Sequence, residues 1–215
     1  MQFVNEMLPY LLSGAVMTLK LTFASMTLAL LLGLAVALLR LSRNRLLRVL
    51  SGAYVEIIRG TPLLVQLFII YYGLPQYDIR LEAFTAGVLG LSINYSAYLA
   101  EVFRAGILAI DKGQWEAGSS VGLSRAGLLR YVIVPQAARI VLPPIGNYFI
   151  SMLKDSALVS TISIVELMRA AQLRVAITFR AMDIYLLVAV LYFAMSYPCA
   201  LLIRYFERKV SRGHA

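Results

Sequence analysis

Four stretches of this chain carry no charged side chain for about the length needed to cross a lipid bilayer, and nothing constrains its fold more. They are residues 21–39, 60–77, 83–100 and 184–203. A hydrocarbon core of ~30 Å takes about 20 helical residues to cross. Lipid offers no hydrogen-bond partner, so each such stretch must satisfy its peptide groups internally, as a helix. A fifth apolar run, 140–153, stops at Lys154 and Asp155 and resumes over 156–165, which reads as a spanning helix interrupted by a charge pair. Composition agrees: of 215 residues, 60% are apolar and 14% charged, against roughly half and a quarter in soluble domains. The expected fold is an all-α membrane protein with five transmembrane helices.

The net charge of +9 is topological. Arg40, Arg43, Arg45 and Arg48 fall between spans one and two, Lys112, Arg125, Arg130 and Arg139 between three and four, and Arg204, Arg208, Lys209 and Arg212 after five. The opposite side holds only Arg80, Arg169, Arg174 and Arg180. Basic loops stay in the cytoplasm, so the N-terminus is expected outside and the C-terminus in the cytoplasm, with no nucleic-acid partner. The opening MQFVNEM lacks the basic region of a removable signal peptide. Cys199, inside the last span, reads as a small buried apolar side chain, and His214 as an inert residue of the polar tail. Single copies of each leave no basis for a disulfide framework, a cysteine or histidine metal site, or histidine catalysis.

The whole chain, 1–215, reads as one transmembrane domain with spans at about 9–39, 50–74, 83–109, 139–158 and 184–205. Lys20, inside the first, reads as a snorkelling cation. A cytoplasmic loop occupies 110–135. Residues 163–176 read as an outer amphipathic helix opened by a capping box, Ser163 with Glu166. No internal repeat stands out, and five spans cannot divide into the inverted halves common in secondary transporters.

The charges inside apolar segments locate the chemistry. Each unpaired one costs at least ~2.5 kcal/mol in a bilayer. Glu56 with Arg59, and Glu101 with Arg104, are spaced to share a helix face, where each pair either neutralises itself or serves a ligand. A zwitterionic substrate needs a cation or helix N-terminus for its carboxylate and a carboxylate or free carbonyls for its ammonium. Asn94 and Ser96 lie near the middle of span three, with Glu101 roughly 8 Å towards the cytoplasm. These three and Arg104 form the expected substrate site. Thr61, before Pro62, and the Lys154-Asp155-Ser156 break are second contributors. Proline at 62 removes a backbone donor and frees carbonyls, either for substrate or simply as a packing kink. Pro143 and Pro144 in span four read as structural.

The cytoplasmic loop is the most informative segment. A short helix from about Gln114 should stop at Gly122 in a left-handed cap, and Ser124 should cap a second helix that ends before Pro135. This helix-turn-helix bracket resembles the EAA loop of ABC importer permeases, the coupling helix that docks on the ATPase. Glu116, Ala117, Gly122 and Pro135 match that pattern in residue and spacing, Val132 and Val134 conservatively, and Gly118 stands where the pattern has a second alanine.

The resemblance covers nearly the whole chain and is close to the polar amino-acid permeases. Its further segments are TLKLT at 18–22, IRGTPLLVQ at 58–66, YYGLP at 71–75, SAYLAE at 96–101 and LKDS at 153–156. Cystine permeases look nearest, with glutamine and basic amino-acid permeases close behind. The resemblance implies a type I ABC importer permease of the bacterial inner membrane. It also implies a second permease copy, with a homodimer favoured and a sister permease the alternative, together with two ATPase subunits and an extracytoplasmic amino-acid-binding protein. Glu116, Ala117, Gly118, Gly122 and Pro135 would couple ATPase motion to alternating access. No Gly-Lys dipeptide occurs, so the chain has no phosphate-binding P-loop. It is expected to bind no cofactor, with ATP and magnesium on the partner ATPases. An ion-coupled secondary carrier using the same carboxylates is the alternative, and the docking-like loop argues against it. An enzyme would show a convergent nucleophile and base, and the sequence suggests neither.

Overall fold

The computed structural model describes residues 2–211, with side chains described for residues 3–208. Arg212 and His214 lie outside the described residues. All regular structure among them is helical: α1 Gln2–Arg40, α2 Arg45–Arg59, α3 Leu63–Phe68, α4 Ala83–Leu108, α5 Lys112–Ser120, α6 Arg125–Leu128, α7 Val134–Asp155, α8 Leu167–Thr178 and α9 Ala181–Ser211. Among the described residues three helical runs are long and apolar enough to cross a membrane, or four if α2 and the bent run Leu63–Tyr77 that opens with α3 count together as one span.

The first helix starts well before the expected residue 9 and carries Pro9 inside it. Its early turns are held by tertiary packing. Met7, Leu11 and Ala15 are buried against Leu167 of α8 and Ile184 of α9, and Arg180 lies 3.9 Å from the Phe3 ring centroid.

The centre of the molecule is α4, which packs against α1, α2, α3 and α7. It covers the expected third span almost residue for residue, yet it is not among the helices apolar enough to be read as a span by composition. Its buried set explains this: Ser92, Asn94 and Ser96 sit beside Gly87, Gly90, Ala97 and Ala100. A helix surrounded by protein trades bulk hydrophobicity for small residues and hydrogen bonds. At the α1–α4 crossing a Cβ on Gly33 would lie 2.9 Å from Leu99 Cβ and 3.1 Å from Ser96 O, so only glycine fits there. Ser92 Oγ donates across to Ser25 O at 3.0 Å.

Two expectations are corrected. The bracket's second helix does not end before Pro135. A π-helical turn at Leu129–Ile133, in which Val134 N donates to Leu129 O, joins α6 to α7 without a stop. The wider turn and the placement of Pro135 in the first turn of α7 absorb the missing proline donor. The capping box at Ser163 does not form either. Ser163 has a left-handed φ of 69° after a 3-10 stretch, Ser156–Ile162, and α8 begins later, at Leu167. Glu166 is itself the cap. Its carboxylate, 0% exposed, accepts from Met168 N at 2.9 Å and Arg169 N at 2.8 Å. It also accepts from the hydroxyls of Thr18 in α1 and Tyr192 in α9. Burial pushes the Glu166 carboxyl above the usual carboxylate range, against the pull of those four donors.

The rest of the bracket forms as expected, except that α5 starts at Lys112, two residues before Gln114. Asp111 caps α5 and Ser124 caps α6 through their side chains. Gly122 turns the chain with a φ of +78°. Cys199 is half-buried, and its thiol faces Met195 O.

Candidate functional site

Pro62 creates the site. A proline at position 62 has no N–H for Ile58 O, so α2 stops at Arg59 and the chain resumes as α3 at an angle of 101°. The orphaned carbonyl is not left open. Gln66 Nε2 donates to Ile58 O at 2.8 Å and to Thr61 Oγ1 at 2.7 Å, while Gln66 Oε1 accepts from Asn94 Nδ2 at 3.1 Å. One buried amide thus stitches the break and ties it to α4.

Beside the break lies a cavity of about 520 Å3, walled by Arg59 to Leu63, by Asn94, Tyr95 and Tyr98 of α4, and by Tyr148, Ser151 and Asp155 of α7. It holds one charge of each sign. Arg59 has no carboxylate within ion-pair distance among the described residues, and its guanidinium lies 5.2 Å from the Tyr98 ring centroid. Asp155 is exposed to the cavity and fixed by Tyr95, whose hydroxyl donates to Oδ2 at 2.7 Å. The three tyrosine rings sit 5.7 to 6.3 Å apart. Such a chamber can bind a small bipolar solute between a cation, a carboxylate and aromatic walls.

Of the residues expected to form the substrate site, Thr61, Asn94 and Asp155 are brought together here. Ser96 is fully buried and bonded to the Tyr54 hydroxyl at 2.6 Å and Ile93 O at 2.8 Å, on the α2 side of α4. Ser156 is buried and donates to Leu153 O, and exposed Lys154 does not line the cavity. Glu101 and Arg104 pair with each other at 2.9 Å, and Glu101 also pairs with Arg40 at the end of α1. The charges that line the cavity without an ion-pair partner among the described residues are Arg59 and Asp155. Glu56 and Arg59 make no ion pair, although their spacing allows one. The tyrosine wall and Gln66 went unread in the sequence. Their signal was present as hydroxyl-bearing rings at 95, 98 and 148 and an amide four residues past Pro62, all within apolar segments.

Of the residues expected to couple to an ATPase, Glu116, Ala117, Gly118 and Gly122 lie together on the bracket, and Pro135 lies in the first turn of α7. Glu116 and Ala117 are exposed on α5, Gly118 is buried against Leu128, and Val121 at the turn is 76% exposed. Ile110, Leu128, Ile133 and Ala137, with Trp115 packed on them, join the bracket to α4 and α7.

Residues 29–212 match the family described as binding-protein-dependent transport system inner membrane component, and the chain belongs to that family. It is a membrane transport subunit, not an enzyme. It is 42% identical over 208 residues to the L-cystine transport system permease protein TcyB of Bacillus subtilis (strain 168), covering 95% of this chain and 88% of that protein. It is 39% identical over 205 residues to the glutamine transport system permease protein GlnP of Escherichia coli (strain K12), covering 94% of each. The fold superposes with a TM-score of 0.91, at 46% identity and 97% coverage of both chains, on the crystal structure of an amino acid ABC transporter with histidines. The inward-facing MetNI methionine ABC transporter, at 22% identity, shares the fold with a TM-score of 0.80 over 95% of this chain and 98% of that one.

Proposed function

We propose that this chain is the permease of an ATP-driven importer of polar amino acids, of the cystine, glutamine or basic amino-acid type. One observation carries the reading: Arg59, without an ion-pair partner among the described residues, and a Tyr95-anchored Asp155 face one cavity, large enough for an amino acid, at the break between α2 and α3. Arg59 receives the substrate carboxylate and Asp155 its ammonium, while Thr61, Asn94 and Ser151 offer hydrogen bonds. Glu101 and Arg104, already paired, shape the path on the bracket side. The names of the relatives support amino acids as the cargo.

In the assembled transporter two permease copies, favoured as a homodimer, span the inner membrane. Each has five crossings, an outer N-terminus and a cytoplasmic C-terminus. An extracytoplasmic binding protein delivers substrate. Two ATPase subunits hold ATP and magnesium and dock on the bracket around Glu116, Ala117, Gly118 and Gly122, where exposed Val121 offers an apolar knob. ATP binding closes the ATPases and turns the cavity outwards. Hydrolysis and release of the products reset it inwards.

The test is uptake of radiolabelled cystine, glutamine and arginine into proteoliposomes holding the chain with its ATPase and binding protein, with and without ATP. Uptake is expected only with ATP. Arg59→Gln and Asp155→Asn should each reduce it at least ~10-fold, the scale of one lost charge-assisted contact. Glu101→Gln should reduce it less. Uptake driven by a proton gradient without ATP would refute the reading.

A further inference from the structure

Two hollows meet at one small group of side chains. The cavity of about 520 Å3 and a second of about 390 Å3, bordered by Glu101, Ala105, Ile140 and Pro144, have Arg59, Tyr98 and Tyr148 in common. Among the described residues only those three line both. The second cavity lies towards the bracket, where α4 ends and α7 begins. The border between the two cavities is formed by these two rings and the Arg59 guanidinium.

The three tyrosines of the wall are held differently. Tyr95 is 4% exposed and anchored through its hydroxyl to Asp155, so it cannot turn without breaking that bond. Tyr98 and Tyr148 are half-buried, and neither hydroxyl has a hydrogen-bond partner among the described residues. Ring contacts hold them: 5.7 Å between their centroids, 6.3 and 6.2 Å from each to Tyr95, and Arg59 over the Tyr98 face. A ring without a polar anchor changes rotamer at the cost of those contacts alone.

We propose that Tyr98 and Tyr148 form a movable septum between the two cavities and that Arg59 latches it. With the guanidinium over Tyr98 the septum is shut. A substrate carboxylate forms a stronger, charge-assisted contact with Arg59 than the ring does, draws the guanidinium off the ring and frees Tyr98 to swing. The substrate thereby releases its own barrier, and an empty chamber stays sealed. This rests on the reading that the first cavity holds an amino acid.

The experiment uses the complete transporter in liposomes preloaded with whichever of radiolabelled cystine, glutamine or arginine the wild type imports with ATP. Efflux without ATP is then followed. Tyr98→Ala with Tyr148→Ala is expected to leak several-fold faster than wild type, and Tyr98→Phe with Tyr148→Phe, which keeps both rings, to restore the seal. Arg59→Gln, which leaves the rings in place, gives an independent reading: faster efflux supports the latch, and wild-type efflux overturns it. An alanine pair as tight as wild type, in a complex that still imports with ATP, overturns the septum and leaves the binding reading standing. Failure of the wild type to import with ATP would instead overturn the functional reading, and the septum with it.

Discussion

Glu166 shows how much one side chain can organise. Its carboxylate caps α8 and accepts hydroxyls from α1 and α9. Replacing it with alanine leaves two backbone N–H groups and two hydroxyls without their acceptor, and should cost about 2 kcal/mol. Thermal unfolding in detergent checks this, with Glu166→Gln expected to lose less because it keeps one acceptor oxygen. The pH dependence has a definite sign. Burial raises this carboxyl above its ordinary value of 4.5, so its contribution is complete below that value and is lost as pH rises through the raised one. Glu166→Gln should flatten that fall. At this scale the sequence showed that Glu166 belonged to a helix start. It did not show which role the residue plays, because Thr18 and Tyr192 lie 148 and 26 positions away along the chain.

At the scale of elements, the break between α2 and α3 is the feature most directly written in the chain. Gly60, Thr61 and Pro62 forbid a continuous helix, and the 101° bend follows. The freed carbonyl was legible; its new partner was not. Gln66→Leu removes the amide that serves Ile58 O, Thr61 and Asn94. It should destabilise the protein by about 2 kcal/mol and, in uptake assays, lower substrate affinity more than maximal rate, because Asn94 loses its orientation. At the α1–α4 crossing, Gly33→Val drives a branched side chain into the backbone of α4 and should abolish folded protein, read by monodisperse elution in detergent. Gly118→Ala is the instructive contrast. Its added methyl meets side chains alone, the end of Leu128 first and then Leu123, which can move, so coupled ATPase activity should survive.

For the whole molecule, the bracket packs where α4 ends and α7 begins, and the cavity lies further along the same two helices, at the middle of α4 and the far end of α7, so in the proposed mechanism a push on α5 would reach the site along them. Trp115→Ala should loosen the bracket from that base. Substrate binding should be retained while ATP-driven transport falls, checked by comparing equilibrium binding with uptake in one preparation. Labelling of single cysteines at the termini should find the N-terminus outside and the C-terminus inside. Apolar length, the proline break and the bracket's caps are local or additive properties, so the sequence by itself determined a helical membrane protein, its proline break and the start of its bracket helices. Which charges pair and which stay free depends on distances between helices far apart in sequence. Glu101 finds Arg40 across 61 positions, and Arg59 finds a tyrosine ring in place of its neighbour Glu56. Only the tertiary structure could decide that, because spacing along one helix limits the partners a side chain can reach, while packing between helices selects among them.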